Sequence, residues 1–247
     1  MVFEIENGGG IAAGALGRFL RGIANSINTL LGINRSVREE AVRTVADSTS
    51  MAIREGVITG GDLSRITTEA AEKSWAEAKE RGMTADEAAA GVVRAAIEAG
   101  VEVGGELTEE LVAAGTRALI SVARDSGEDL GHIIHNGVRA GLHAALERDL
   151  DLAVLAQRLA REVIQDMAEA GGNLATAAQS VIAGAIDAAK DGQVSPEAAA
   201  AAAATGALEA AGRIDRDKFV EVRSILDRPI NGVEIVLRDP TRHERAE

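Results

Sequence analysis

The stretch REGVITGGDL, Arg54–Leu63, is nearly repeated by EAGVEVGGEL, Glu98–Leu107, which begins 44 residues later. A weaker break, ERGMTADEA, lies midway between them. The polar–apolar pairs at successive breaks are Asp62-Leu63, Thr84-Ala85, Glu106-Leu107, Asp129-Leu130, Asp151-Leu152, Asn173-Leu174 and Ser195-Pro196. Their steps are 22, 22, 23, 22, 22 and 22 residues, so the chain is an internal repeat.

Each unit follows one pattern. A run ending in charge and glycine (AIREG, AKERG, IEAG, ARDSG, MAEAGG, AAKDG) precedes a residue suited to starting a helix. Glycine there takes the left-handed conformation that closes a helix. Asp, Glu, Thr, Asn or Ser then accepts from the free N–H groups of the next first turn. TADE at 84–87 and SPEA at 195–198 are strong start signals, with Pro196 at the first helical position. Between breaks the apolar spacing is helical. Leu111, Gly115, Ala118, Leu119 and Val122 share one face, as do Ile134, Val138, Gly141, Leu142 and Ala145.

A unit of this length holds about 16 helical residues, roughly 24 Å, plus a short turn. Short turns make consecutive helices antiparallel, so two units form one hairpin and the same turn recurs on the same side. The expected fold is all-α: tandem antiparallel helices, in 22-residue units and 44-residue hairpins, stacked as a solenoid or bundle with short β segments at both termini. Three regions follow: 1–33, an extended segment plus an amphipathic helix; 34–214, the repeat body; and 215–247, a helix, a short strand and a tail.

Gly91, Gly115, Gly137, Gly141, Gly184 and Gly206 fall near mid-helix. Each costs about 1 kcal/mol against Ala in a helix interior. Repeating that cost points to close helix–helix contact.

Composition narrows the function. The chain has 247 residues, no Cys, no Tyr, three Phe and one Trp, with 27 Gly. It therefore lacks thiolate chemistry and most of the flat groups that line ligand pockets or stack on bases. Its net charge of -13 argues against nucleic acid. The ends are neutral. Residues 1–33 carry two Arg and two Glu, residues 213–247 carry eight basic and eight acidic side chains, and the excess lies between them. The start, MVFEIENGGG, is acidic where a signal peptide is basic, and no long apolar run follows. Absence of cysteine and of a signal leads to the expectation of a bacterial-type cytoplasmic chain.

The two ends differ from the repeat. Residues 11–31 form a helix candidate with Leu16, Phe19, Leu20, Ile23, Ile27, Leu30 and Leu31 on one face and Arg18 and Arg21 opposite. This face suits capping the repeat or packing on a sister chain; it also suits a membrane or granule surface. VFEI, with Val2, Phe3 and Ile5, and GVEIVLRD, with Val233, Ile235 and Leu237, alternate like strands. A lone strand is not stable in water, so these pair with each other or with a neighbouring copy.

Chemical motifs are sparse. GGG at 8–10 lacks a phosphate-loop frame, and no GxSxG appears. EDLGHIIHNGVRAGLH sets His132, His135 and His143 within about 80° on one helix, with Glu128 one turn before His132. His132, His135 and Glu128 are the weak metal candidates. The carboxylate pairs Glu39-Glu40, Glu109-Glu110 and Asp215 with Asp217 are expected in first turns, where negative charge is favoured. Trp75 reads as a packing residue.

The tandem 22-residue helices resemble the repeats of exchangeable apolipoproteins, and the Ala-rich helical composition resembles phasins, the coat proteins of bacterial polyester granules. That resemblance rests on period and composition and implies a lipid or granule surface. The departure is that these units turn on Gly rather than Pro and carry narrow small-residue faces suited to other helices. The expectation is therefore a non-enzymatic scaffold without cofactors, forming homo-oligomers or filaments through its terminal segments. The alternatives are a phasin-like or apolipoprotein-like surface protein, touching the membrane or granule through residues 11–31, and a metal protein using the histidine helix.

Overall fold

The computed structural model describes residues 35–58, 62–80, 83–103 and 106–237. In chain order the helices are α1 (Arg35–Ile58), α2 (Leu63–Glu80), α3 (Ala85–Val103), α4 (Glu106–Ser126), α5 (Leu130–Leu146), α6 (Leu152–Glu169), α7 (Leu174–Asp191), α8 (Pro196–Ile214) and α9 (Arg216–Ile225). Six of the seven sequence breaks fall at the observed helix start, and α4 begins one residue early, at Glu106.

The caps explain this agreement. Asp129 accepts from the N–H groups of Gly131 and His132, and Asp151 from those of Ala153 and Val154. Asn173, Ser195 and Asp215 cap α7, α8 and α9 in the same way, and Asp62 accepts from Arg65 N–H in α2. At α3 the Thr84 N–H donates to Glu87 Oε2 at 3.1 Å, one half of a capping box.

Helix ends depart from the glycine rule in places. Gly127 and Gly171 are left-handed, with φ of 71° and 70°. After α7, Gly192 has φ of −82°, and Gln193 takes the positive φ of 55° instead. Gly192 is small for another reason: a Cβ there would overlap Leu146. Gly56 and Gly100 do not end their helices; α1 runs on to Ile58 and α3 to Val103. Gly56 leaves room for Ile66, whose Cδ1 would stand 2.6 Å from an added Cβ. Because α1 begins at Arg35, Glu39 and Glu40 fall in its second turn, not its first.

The helices stack in two layers. Odd-numbered α1, α3, α5 and α7 form one, even-numbered α2, α4, α6 and α8 the other, and α9 closes the end against α7 and α8. Among the described residues every extensively packed pair lies at most two helices apart, as in an open stack. One continuous core of Ala, Val, Leu and Ile runs from Val45 to Val233 and includes Trp75.

Small residues set the spacing. An added Cβ on Gly91 (α3) would come within 2.8 Å of Val45, on Gly115 (α4) within 2.6 Å of Ala96, and on Gly137 (α5) within 2.7 Å of Leu119. On Gly141 (α5) it would lie 2.7 Å from Val93, and on Gly184 (α7) 2.6 Å from the His135 carbonyl oxygen. On Gly206 (α8) it would overlap the Gln157 carbonyl.

Ion pairs link successive helices of a layer, basic residue first: Arg54–Glu102, Arg94–Glu147, Arg139–Asp191 and Arg161–Glu209. These partners are 48 to 53 residues apart. The paired side chains thus lie beyond the repeat length by roughly one to two and a half turns.

The C-terminal strand expectation is corrected. Residues 234–237 have no ladder partner among the described residues; there is a single bridge, Ile230 to Val233. Asn231 and Gly232, both at positive φ, close this tight turn. The alternation that suggests a strand reflects one-sided burial: Val233 is buried and Ile235 and Leu237 pack partly against the core. Val2, Phe3 and Ile5, and the 11–31 face from Leu16 to Leu31, lie outside the described residues.

Candidate functional site

The histidine helix is the first candidate. Its Asp129 cap starts α5 so that His132 and His135 emerge on the outer face of the odd layer, with rings stacked 6.5 Å apart. Asn136 joins them. Its Nδ2 donates to Asp86 Oδ2 at 3.0 Å and lies 3.0 Å from His132 Nε2. His135 Nδ1 is 3.1 Å from Asn136 Oδ1, and its Nε2 is 2.9 Å from Asp187 Oδ2. Asp187 in turn accepts from Asn231 Nδ2, and Lys190 Nζ donates to Asn231 O at 3.0 Å. A polar chain therefore runs from α3 across α5 and α7 to the C-terminal turn.

Glu128 does not meet the histidines: its Oε1 accepts from Ala85 N–H at 3.3 Å and serves the start of α3. Among the described residues no three His, Asp or Glu side chains come together as a metal set. His132 and His135 are engaged with the Asn136 amide of their own helix and with the Asp86 and Asp187 carboxylates of neighbouring helices.

Below this chain lies a groove of about 520 Å³ over α3, between α1 and α5, lined by Arg43, Asp86, Glu87, Arg94, Arg139 and His143 among others. Its charges are largely answered within the fold. Arg94 holds Glu98 and Glu147, and Arg139 binds Asp191 through two nitrogens at 2.8 and 2.6 Å. Glu98, nearly buried, is shared by Arg94 and Arg148. This is a lattice joining helices.

A smaller cleft of about 250 Å³ opens on the even layer between α4 and α6, with Arg117, Ser121, Arg124, Asp166 and Glu169 around it. Asp166 is buried at 9% exposure and contacts Thr116 Oγ1 at 2.9 Å. Burial pushes its carboxyl from 3.8 up to about 7; the Thr116 bond and the Arg117 charge oppose the rise, while Glu162 and Glu169 add to it. The sequence reading passed over this residue. The available signal was a charge on an apolar stripe, since Asp166 follows Leu159 and Val163 at helical spacing.

The remaining surface feature is apolar. Large exposed hydrophobic side chains are Met51 and Ile58 in α1, Val154 and Val194, and Ile214, Phe219, Val220 and Val236 at the far end. No helix of the described residues is long and apolar enough to cross a membrane.

No protein-family model matches the chain, and no curated protein matches it. Among solved structures it is similar to the crystal structure of a de novo designed helical repeat protein, with 23% identity over 71% of this chain and 95% of that one, at a TM-score of 0.45.

Proposed function

We propose that the protein is a non-enzymatic scaffold, an acidic helical-repeat body that assembles with copies of itself through its ends. The observation that carries this is the distribution of exposed large hydrophobics, with Met51 and Ile58 in α1 and Ile214, Phe219, Val220 and Val236 around α8, α9 and the C-terminal turn. Stacked repeats bury a shared core and leave terminal faces that must be capped or used. Ile214 at 41%, Phe219 at 39% and Val220 at 57% exposure give the far face an apolar surface beside Arg213 and Arg216.

Light scattering of the full chain over a concentration series tests it. The expected result is a mass above 25.5 kDa that rises with concentration and falls when Ile214 and Val220 are both replaced by Lys. A constant 25.5 kDa monomer at every concentration rejects self-assembly.

A further inference from the structure

Of the pairs that stack within the layers of α1–α8, α4 and α6 pack least extensively. Across this seam one hydroxyl serves two acceptors. Thr116 Oγ1 stands 2.9 Å from Ala113 O in its own helix and 2.9 Å from Asp166 Oδ2 in the other. It has one proton to give. With Asp166 protonated, both contacts are made: Thr116 donates to Ala113 O and accepts from the carboxylic acid. With Asp166 ionised, Thr116 must choose, and a buried carboxylate keeps at most one hydroxyl donor.

Of the charged neighbours, Arg117 relieves it only in part, from an exposed position. Arg117 and Arg124 reach the cleft from α4 as exposed side chains, while Glu162 and Glu169 of α6 oppose ionisation. On the other side of α6, α8 directs Glu209 to Arg161 and Gln157. His135 and Arg139 of α5 and Asp187 and Asp191 of α7 are engaged with one another on the odd layer.

We propose that this seam is a proton-gated joint: the protonated carboxyl of Asp166 bridges α4 to α6, and loss of its proton opens the cleft to water. Opening exposes Thr116, Ser121 and the adjoining core, leaving the rest of the stack in place. Amide hydrogen exchange of the full chain at about pH 5.5 and about pH 8.5, corrected for the intrinsic pH effect, tests it. Amides of 116–124 and 162–169 are expected to exchange at least ~10-fold faster at the higher pH, and the difference should vanish in Asp166→Asn, whose amide bridges with no proton to lose. Equal protection at both pH values, or the same pH response in Asp166→Asn, overturns the proposal. Carbon-13 NMR of the wild-type Asp166 carboxyl decides it without a variant: titration near pH 7 supports the joint, and titration near ~4 sinks it.

Discussion

Gly184 of α7 rests against the backbone of His135 in α5, so near that a methyl group on it would lie 2.6 Å from the His135 carbonyl oxygen. A backbone oxygen cannot turn aside as a side chain does. The two helices share this layer because residue 184 has no side chain.

Gly184→Ala therefore sets two effects against each other. Helix propensity favours Ala by about 1 kcal/mol, and forced overpacking costs about 1–3 kcal/mol. The clash is with backbone, so a net loss of roughly 1–2 kcal/mol is expected in denaturant melts. Gly212→Ala is the control: it is exposed, and its nearest atom would be Phe219 Cδ2 at 3.4 Å. It should be neutral or stabilising by up to about 1 kcal/mol. Equal losses at both positions would show that propensity, not contact, governs these glycines.

Asp129→Ala and Asp151→Ala each remove a side chain that accepts two N–H groups at a helix start. Each should cost about 1 kcal/mol in chemical denaturation. The caps start consecutive antiparallel helices and share no partner, so the double variant should lose about the sum. Asp→Asn at either position should recover most of the loss, since the amide oxygen still accepts.

Stability should fall as pH rises on account of Asp166. Its carboxyl goes from 3.8 to about 7 on folding, so between those values the folded chain holds a proton that the unfolded chain has released. The sign follows: this contribution is fully present below pH 4 and is lost as pH rises to about 7, at roughly 1.4 kcal/mol per unit, then levels off. Urea midpoints of the wild type and Asp166→Asn across that window test it. The difference between them should move with pH in favour of the variant; a constant difference would remove Asp166 as the cause.

Much of the architecture was legible because the signals were local. A cap, a short turn and a helical stripe each act within a few residues, so the starts of α2, α3, α5, α6, α7 and α8 could be read from Asp62 to Ser195. What failed depended on distance. Gly192 was read as a left-handed cap, but its constraint comes from Leu146, on another helix. Val233, Ile235 and Leu237 alternate like a strand, yet the alternation records burial against the chain's own helical core. The carboxylates that meet His132 and His135 could not be read locally either, since Asp86 and Asp187 come from neighbouring helices. Asp166 was missed because an Asp on a helix is ordinarily solvated; only the packing of α4 against α6 reveals that it is not.

Among the described residues no helix packs extensively beyond its second neighbour, and this has a consequence for how the repeat body folds. Low contact order removes the long loop closures that slow other chains of this size. Structure can begin at any hairpin and spread in either direction, each new helix docking on the two before it. A defect in one unit should then melt its neighbours first and leave distant hairpins standing, so unfolding should fray from the weakest joint outward instead of proceeding in one step.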